Sequence, residues 1–104
     1  MENKYKLNIY PKAQSDLKNI IEYVSVVLSN KQAANDLMTA FKNAFERVCV
    51  FPESCPVLNN SFLKYKGLRK LLVNNYIVFY RVKDNTIQIV RIMYAMQNYQ
   101  EVFK

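Results

Sequence analysis

The sequence predicts an α+β domain: a short N-terminal strand, an antiparallel helix hairpin, then a three-stranded antiparallel meander forming a curved sheet with the helices on one face. Three observations carry this. Apolar residues recur at spacings of three and four from Ala13 to Val48. From Leu68 to Tyr94 they give way to runs rich in β-branched and aromatic residues. The 104 residues, 51% of them hydrophobic, suffice for one core and therefore one domain, 1–104.

Lys6 to Tyr10 alternates around Leu7 and Ile9, a short strand that ends before Pro11. Pro11 suits a helix entrance, where its fixed φ is already helical and its missing N–H would have had no partner. Ala13, Leu17, Ile20, Ile21, Val24 and Leu28 then form one apolar stripe, so the first helix should end near Leu28. Ser29-Asn30-Lys31-Gln32 has the form of a capping box with Ser29 as the cap. The second helix carries Ala33, Leu37, Ala40 or Phe41, Ala44 or Phe45, and Val48 inward, and stops before Pro52. So short a link implies antiparallel packing. A long connection, Phe51 to Phe62, leads to three strands, Leu68 to Val73, Tyr76 to Val82 and Thr86 to Tyr94. Asn74-Asn75 and Asp84-Asn85 separate them, residue types that tolerate the positive φ of tight hairpin turns. With the helices on one face, the other face of the sheet is expected to stay open for binding.

Composition narrows the chemistry. The chain has no His, which removes the imidazole-dependent nucleophile arrangements. Its two cysteines, Cys49 and Cys55, lack further ligands for a zinc site, so free thiols and no metal or cofactor are expected. No apolar run approaches the roughly 20 residues of a bilayer span, and no basic-then-apolar leader opens the sequence. A cytoplasmic protein without a membrane partner is expected. Net charge is +7 and unevenly spread: residues 1–62 hold seven Lys/Arg against six Asp/Glu, and residues 63–104 hold eight against two. The second half therefore attracts polyanions, whether nucleic acid or an acidic protein segment.

Several features in order resemble the RelE/ParE superfamily of toxins from bacterial type II toxin-antitoxin systems. They are Ala13-Gln14-Ser15-Asp16-Leu17 after the opening strand, Phe51-Pro52-Glu53 at the second helix exit, the run from Leu68 to Val82, and Ile89-Val90-Arg91-Ile92-Met93-Tyr94. The resemblance covers about 90 residues and rests on their sequence as a series, no single word being diagnostic. It implies a small basic toxin bound and neutralised by a cognate acidic or amphipathic antitoxin. Members act either on ribosome-bound mRNA, as ribosome-dependent endoribonucleases, or on DNA gyrase, as inhibitors, and one scaffold serves both.

RNA cleavage requires a deprotonated 2′-hydroxyl, a stabilised phosphorane charge and a protonated leaving oxygen. Without His, Lys70, Arg81 and Tyr94 are the catalytic candidates, and Lys64, Lys66, Arg69, Arg91 and Tyr99 are candidates for binding nucleic acid or another target. If both hairpin turns have two residues, Lys70 pairs with Phe79 and Arg81 with Gln88. Lys70, Arg81, Gln88 and Tyr94 then share the open face, and Arg69 and Arg91 share the helix-covered one. Arg69 and Arg91 are alternatively edge or buried arginines paired with carboxylates such as Asp16 or Glu22. Ribonuclease-type members usually follow the last strand with His-Gly-Arg-Arg-Asp or a similar basic pair. Here Tyr94-Ala95-Met96-Gln97-Asn98-Tyr99 stands instead, and Phe103 occupies the place of a terminal Tyr. The expectation is a toxin acting by RNA cleavage or by inhibition of a protein target. The alternative is a non-toxic or degenerate relative that binds only nucleic acid or antitoxin.

Overall fold

A computed structural model of the chain describes residues 5–58, 66–96 and 102–103. The elements follow in order as β1 (Lys6–Ile9), α1 (Pro11–Glu22), a π-helical turn (Tyr23–Val27), α2 (Lys31–Val50), β2 (Arg69–Val73), β3 (Tyr76–Lys83) and β4 (Thr86–Tyr94). The expected α+β architecture is present, with one addition that local sequence does not specify. β1 returns to pair in parallel with β4, giving a mixed sheet of order β1-β4-β3-β2.

Pro11 occupies the first turn of α1, and Ala13, Leu17, Ile20, Ile21 and Val24 face the core. After Glu22 the bonding changes: the Leu28 N–H donates to the Tyr23 carbonyl, five residues back, at 3.0 Å. This wider turn rotates the following residues off the stripe. Leu28, expected inward, is therefore exposed, together with Tyr23, Val26 and Val27. The cap of α2 is Asn30 and not Ser29: the Asn30 side-chain oxygen accepts from the Ala33 N–H at 3.0 Å. Gln32 reaches forward to Asp36 at 2.9 Å instead of back to the cap. Ser29 takes the left-handed conformation (φ 52°) that turns the chain between the helices. In α2, Ala34, Leu37, Phe41, Ala44, Phe45, Val48 and Cys49 are buried, so the inward face is centred one residue from where Ala33 would put it.

Both meander turns have two residues. Val73 pairs with Tyr76 and Lys83 with Thr86, with Asn74, Asp84 and Asn85 at positive φ. Lys70 pairs with Phe79 and Arg81 with Gln88, as expected. Between these rows the ladder slips. Phe79 faces Arg91 and Tyr80 faces Ile89, so Val90 is an extra residue on β4 and forms a bulge.

The helix-facing side of the sheet, Leu71, Val73, Val78, Tyr80, Ile87, Ile89 and Ile92, packs with α1 and α2 into the main core. The far side is not open. Leu68, Ile77, Phe79, Val90 and Met93 form a second apolar cluster there, covered by Phe103 and flanked by Tyr10 and Leu58. Phe103 stacks edge-on against Phe79 with ring centroids 5.0 Å apart. The chain has apolar residues on both sides of β3 and β4, and a sheet in that position must be covered twice. Cys49 is buried and Cys55 half-buried, both as free thiols. No helix among the described residues is long and apolar enough to cross a membrane.

Candidate functional site

The far face carries a polar strip beside its apolar cluster. Gln88 is central to it. Its side-chain oxygen accepts from Arg81 Nε at 2.7 Å and from the Tyr10 hydroxyl at 3.0 Å, while Arg81 Nη2 lies 3.4 Å from the Tyr10 oxygen. Because the guanidinium can only donate, the Gln88 atom facing it must be the oxygen, and the Nε2 donors lie outside this network. Three strands build the group: Arg81 from β3, Gln88 from β4, and Tyr10 from the end of β1, which the parallel pairing brings alongside. Lys70 lies on the same side of the sheet as Arg81, in register with Phe79.

Tyr94 is elsewhere. The bulge at Val90 shifts the last four residues of β4 by one, so Tyr94 pairs with Tyr76. Tyr76 in turn stacks on Phe41 of α2 with centroids 5.9 Å apart. Tyr94 therefore stands on the helix side, its ring edge-on to Tyr76 at 5.9 Å, and not beside Lys70 and Arg81 as a bulge-free register requires. It borders a cleft of about 190 Å³ lined by Asp16, Asn19, Ile20, Tyr76, Arg91 and Met93 among others. Burial pushes the Tyr76 hydroxyl up from its ordinary pKa, with Tyr94 and Tyr23 adding to the effect.

Arg91 and Arg69 have structural partners. The same slip puts Arg91 in register with Phe79, so it does not share a face with Arg69. Arg91 donates through Nε and Nη2 to the two Asp16 oxygens at 2.7 and 3.1 Å, and Asp16 also accepts from the Ile92 N–H at 3.0 Å. Asp16 thus sits in the plane of the sheet, at the edge of β4 just beyond the point where β1 ends. Arg69 Nη1 donates to the Cys55 carbonyl at 2.6 Å and holds residues 52–58 along the outer edge of β2. Tyr80, fully buried, donates to the Pro52 carbonyl at 2.8 Å and fastens the same segment. Lys66 is exposed in the turn ahead of β2, and Lys64 and Tyr99 lie outside the described residues.

Burial raises the Tyr80 pKa well above the ordinary tyrosine value, and a hydrogen bond with Cys55 adds to the rise. A folded pKa above the unfolded one means stability that is intact below about pH 10 and lost progressively above it, by up to about 1.4 kcal/mol per pH unit for each such group. Urea denaturation between pH 8 and 11 should show this decline. Tyr80→Phe should be about 1 kcal/mol less stable at pH 8, having lost a buried hydrogen bond, and its alkaline decline should be shallower. An unchanged slope in Tyr80→Phe would show that other tyrosines carry the effect.

The reasoning from sequence missed Tyr10. Its only signal is position, since it follows Asn8 on the same side of β1 and directly precedes Pro11, and its value as a neighbour depends on a pairing 78 residues away.

The family model described as ParE toxin of type II toxin-antitoxin system, parDE, matches residues 7–99. No curated protein sequence matches. Among solved structures, the fold is similar to one from the chromosomal ParDE toxin-antitoxin system of P. aeruginosa, with 21% identity, a TM-score of 0.71, and coverage of 89% of this chain and 98% of the other. It is also similar to one in the RelBE2 toxin-antitoxin complex of Mycobacterium tuberculosis (15% identity, TM-score 0.62, 90% and 94% coverage). A third is in the E. coli DinJ-YafQ toxin-antitoxin complex (15% identity, TM-score 0.59, 97% and 99% coverage).

Proposed function

The chain belongs to the ParE toxin family of type II toxin-antitoxin systems, within the RelE/ParE superfamily, and from that premise we propose that it arrests growth by inhibiting DNA gyrase and is neutralised by a cognate antitoxin. The observation that carries the choice over RNA cleavage is the separation of Tyr94 from Lys70 and Arg81. Cleavage needs a proton-handling group and a phosphate-holding group on one substrate. Here the bulge sends the expected tyrosine to the opposite side of the sheet. Lys70 and Arg81 then serve as target-binding groups, with Lys64, Lys66 and Tyr99 extending the same basic second half of the chain.

An apolar groove supports an amphipathic antitoxin. It lies between β1 and the helices, encloses about 360 Å³, and is lined by Leu7, Ile9, Leu17, Met38, Phe41 and Phe45, with Lys42 and Glu46 at its rim. Such a surface takes the apolar stripe of a partner segment.

A second reading has one observation in its favour. Tyr10 places a phenol against Arg81, so mRNA cleavage through Arg81 and Tyr10 is chemically coherent without Tyr94. Induced expression of the chain alone separates the two. Gyrase inhibition predicts arrest with gyrase-linked DNA breaks and no codon-linked stops in primer extension on cellular mRNA. Cleavage predicts stops that vanish in Tyr10→Phe and Arg81→Ala. Growth arrest that survives both Arg81→Ala and Lys70→Ala would remove these residues from either mechanism.

A further inference from the structure

The register of three strands places cations on the far face in rows that local sequence does not show. Arg81, Gln88 and Asn8 form one row across β3, β4 and β1, and Lys83, Thr86 and Lys6 form the next. All six are on the side away from the helices, because their neighbours Val82, Ile87 and Ile9 pack into the main core. Lys6, Asn8 and Lys83 are exposed, and Arg81, Thr86 and Gln88 half-buried. Neither row contains a carboxylate, and Asp84 lies in the adjoining turn. The helical side is different: residues 11–50 carry five cations and four carboxylates.

We propose that this strip, Lys6, Arg81 and Lys83 with the amides of Asn8 and Gln88, binds the phosphodiester backbone of a nucleic acid. Strands are about 4.8 Å apart, so Lys6 and Lys83, two strands apart, span about 10 Å. Over that length one strand of B-DNA presents about three phosphates at a 3.4 Å rise. Arg81 contributes a guanidinium whose plane is fixed by Gln88 and Tyr10, which reduces the side-chain freedom lost on binding. The Gln88 Nε2 donors, turned away from Arg81, add neutral hydrogen bonds that suit phosphate oxygens. The Gln88 oxygen already accepts from Arg81 and Tyr10, so Gln88 lacks the acceptor that a bidentate adenine contact needs, and the binding expected is to the backbone. The proposal holds whether the growth-arresting target is gyrase or the ribosome.

The test is fluorescence anisotropy with a labelled 20-base-pair DNA duplex and, in parallel, a single-stranded RNA of the same length, at 50 to 200 mM KCl. Three neutralised phosphates give a log–log salt slope of about −2.7 on duplex DNA. Lys6→Gln/Lys83→Gln should reduce that slope by about 1.8 and weaken binding at 50 mM KCl at least tenfold. Lys18→Gln/Lys31→Gln, on the helices, makes the same change in net charge and should leave affinity within twofold of wild type. Both doubles alter exposed side chains, and thermal melts followed by circular dichroism verify that each is folded. Tighter binding to one probe identifies whether DNA or RNA is the source of the backbone. Equal weakening by both double variants, or no binding to either probe at 50 mM KCl, overturns the assignment.

Discussion

Asp16→Ala should cost about 3 kcal/mol, through loss of a partly buried ion pair together with a backbone hydrogen bond, and lower the melting temperature by about 15 °C. The Asp16 and Arg91 side chains are only 13% and 20% exposed, so the guanidinium left behind is poorly solvated. The same substitution removes the acceptor of the Ile92 N–H. That N–H lies on the edge of β4, beyond the reach of β1, whose last tie is the Tyr10 N–H to the Ile89 carbonyl at 2.9 Å. Asp16→Asn keeps an oxygen for one of these donors and should lose about half as much. Urea denaturation measures both. A loss below about 1 kcal/mol in Asp16→Ala would mean that water replaces the carboxylate and the pair is not structural.

Phe103→Ala should cost about 3 kcal/mol and expose apolar surface on the far face. Phe103 is 2% exposed and packs in one cluster with Leu68, Ile77, Phe79, Val90 and Met93, so truncating it opens that cluster beside the Phe79 ring. The expected signature is lost stability together with increased binding of a hydrophobic dye under native conditions. Lost stability without dye binding would indicate that neighbouring chain closes over the gap. Phe103→Leu, which keeps most of the apolar volume, should restore both readouts to near wild type.

Much of this architecture follows from short-range signals. Asn74-Asn75 and Asp84-Asn85 fix both meander turns, and once the turns have two residues the Lys70–Phe79 and Arg81–Gln88 pairs are determined. Pro11 and Pro52 bound the helical region for reasons local to their rings. The candidate site was harder to read because its geometry depends on pairings between distant residues. Tyr10 meets Gln88 only because β1 returns beside β4. The bulge at Val90 leaves a faint trace, the doublets Ile89-Val90 and Ile92-Met93, which break strict alternation. In a sheet covered on both sides, adjacent apolar residues are expected at every position, so the doublets do not stand out. The Ser29 assignment failed for a smaller reason. Ser and Asn are both good caps, and the choice depended on which of them took the left-handed turn.

The bulge also bears on how roles are transferred between relatives. A gapless alignment through Val90 exchanges inward and outward positions for everything that follows it, Tyr94 included. Two homologues with identical residues at the end of the last strand, one with the extra residue and one without, would present those side chains to different partners. Residue identity alone is then a poor guide to shared activity, and the count of residues between Ile89 and Tyr94 becomes an inherited character in its own right.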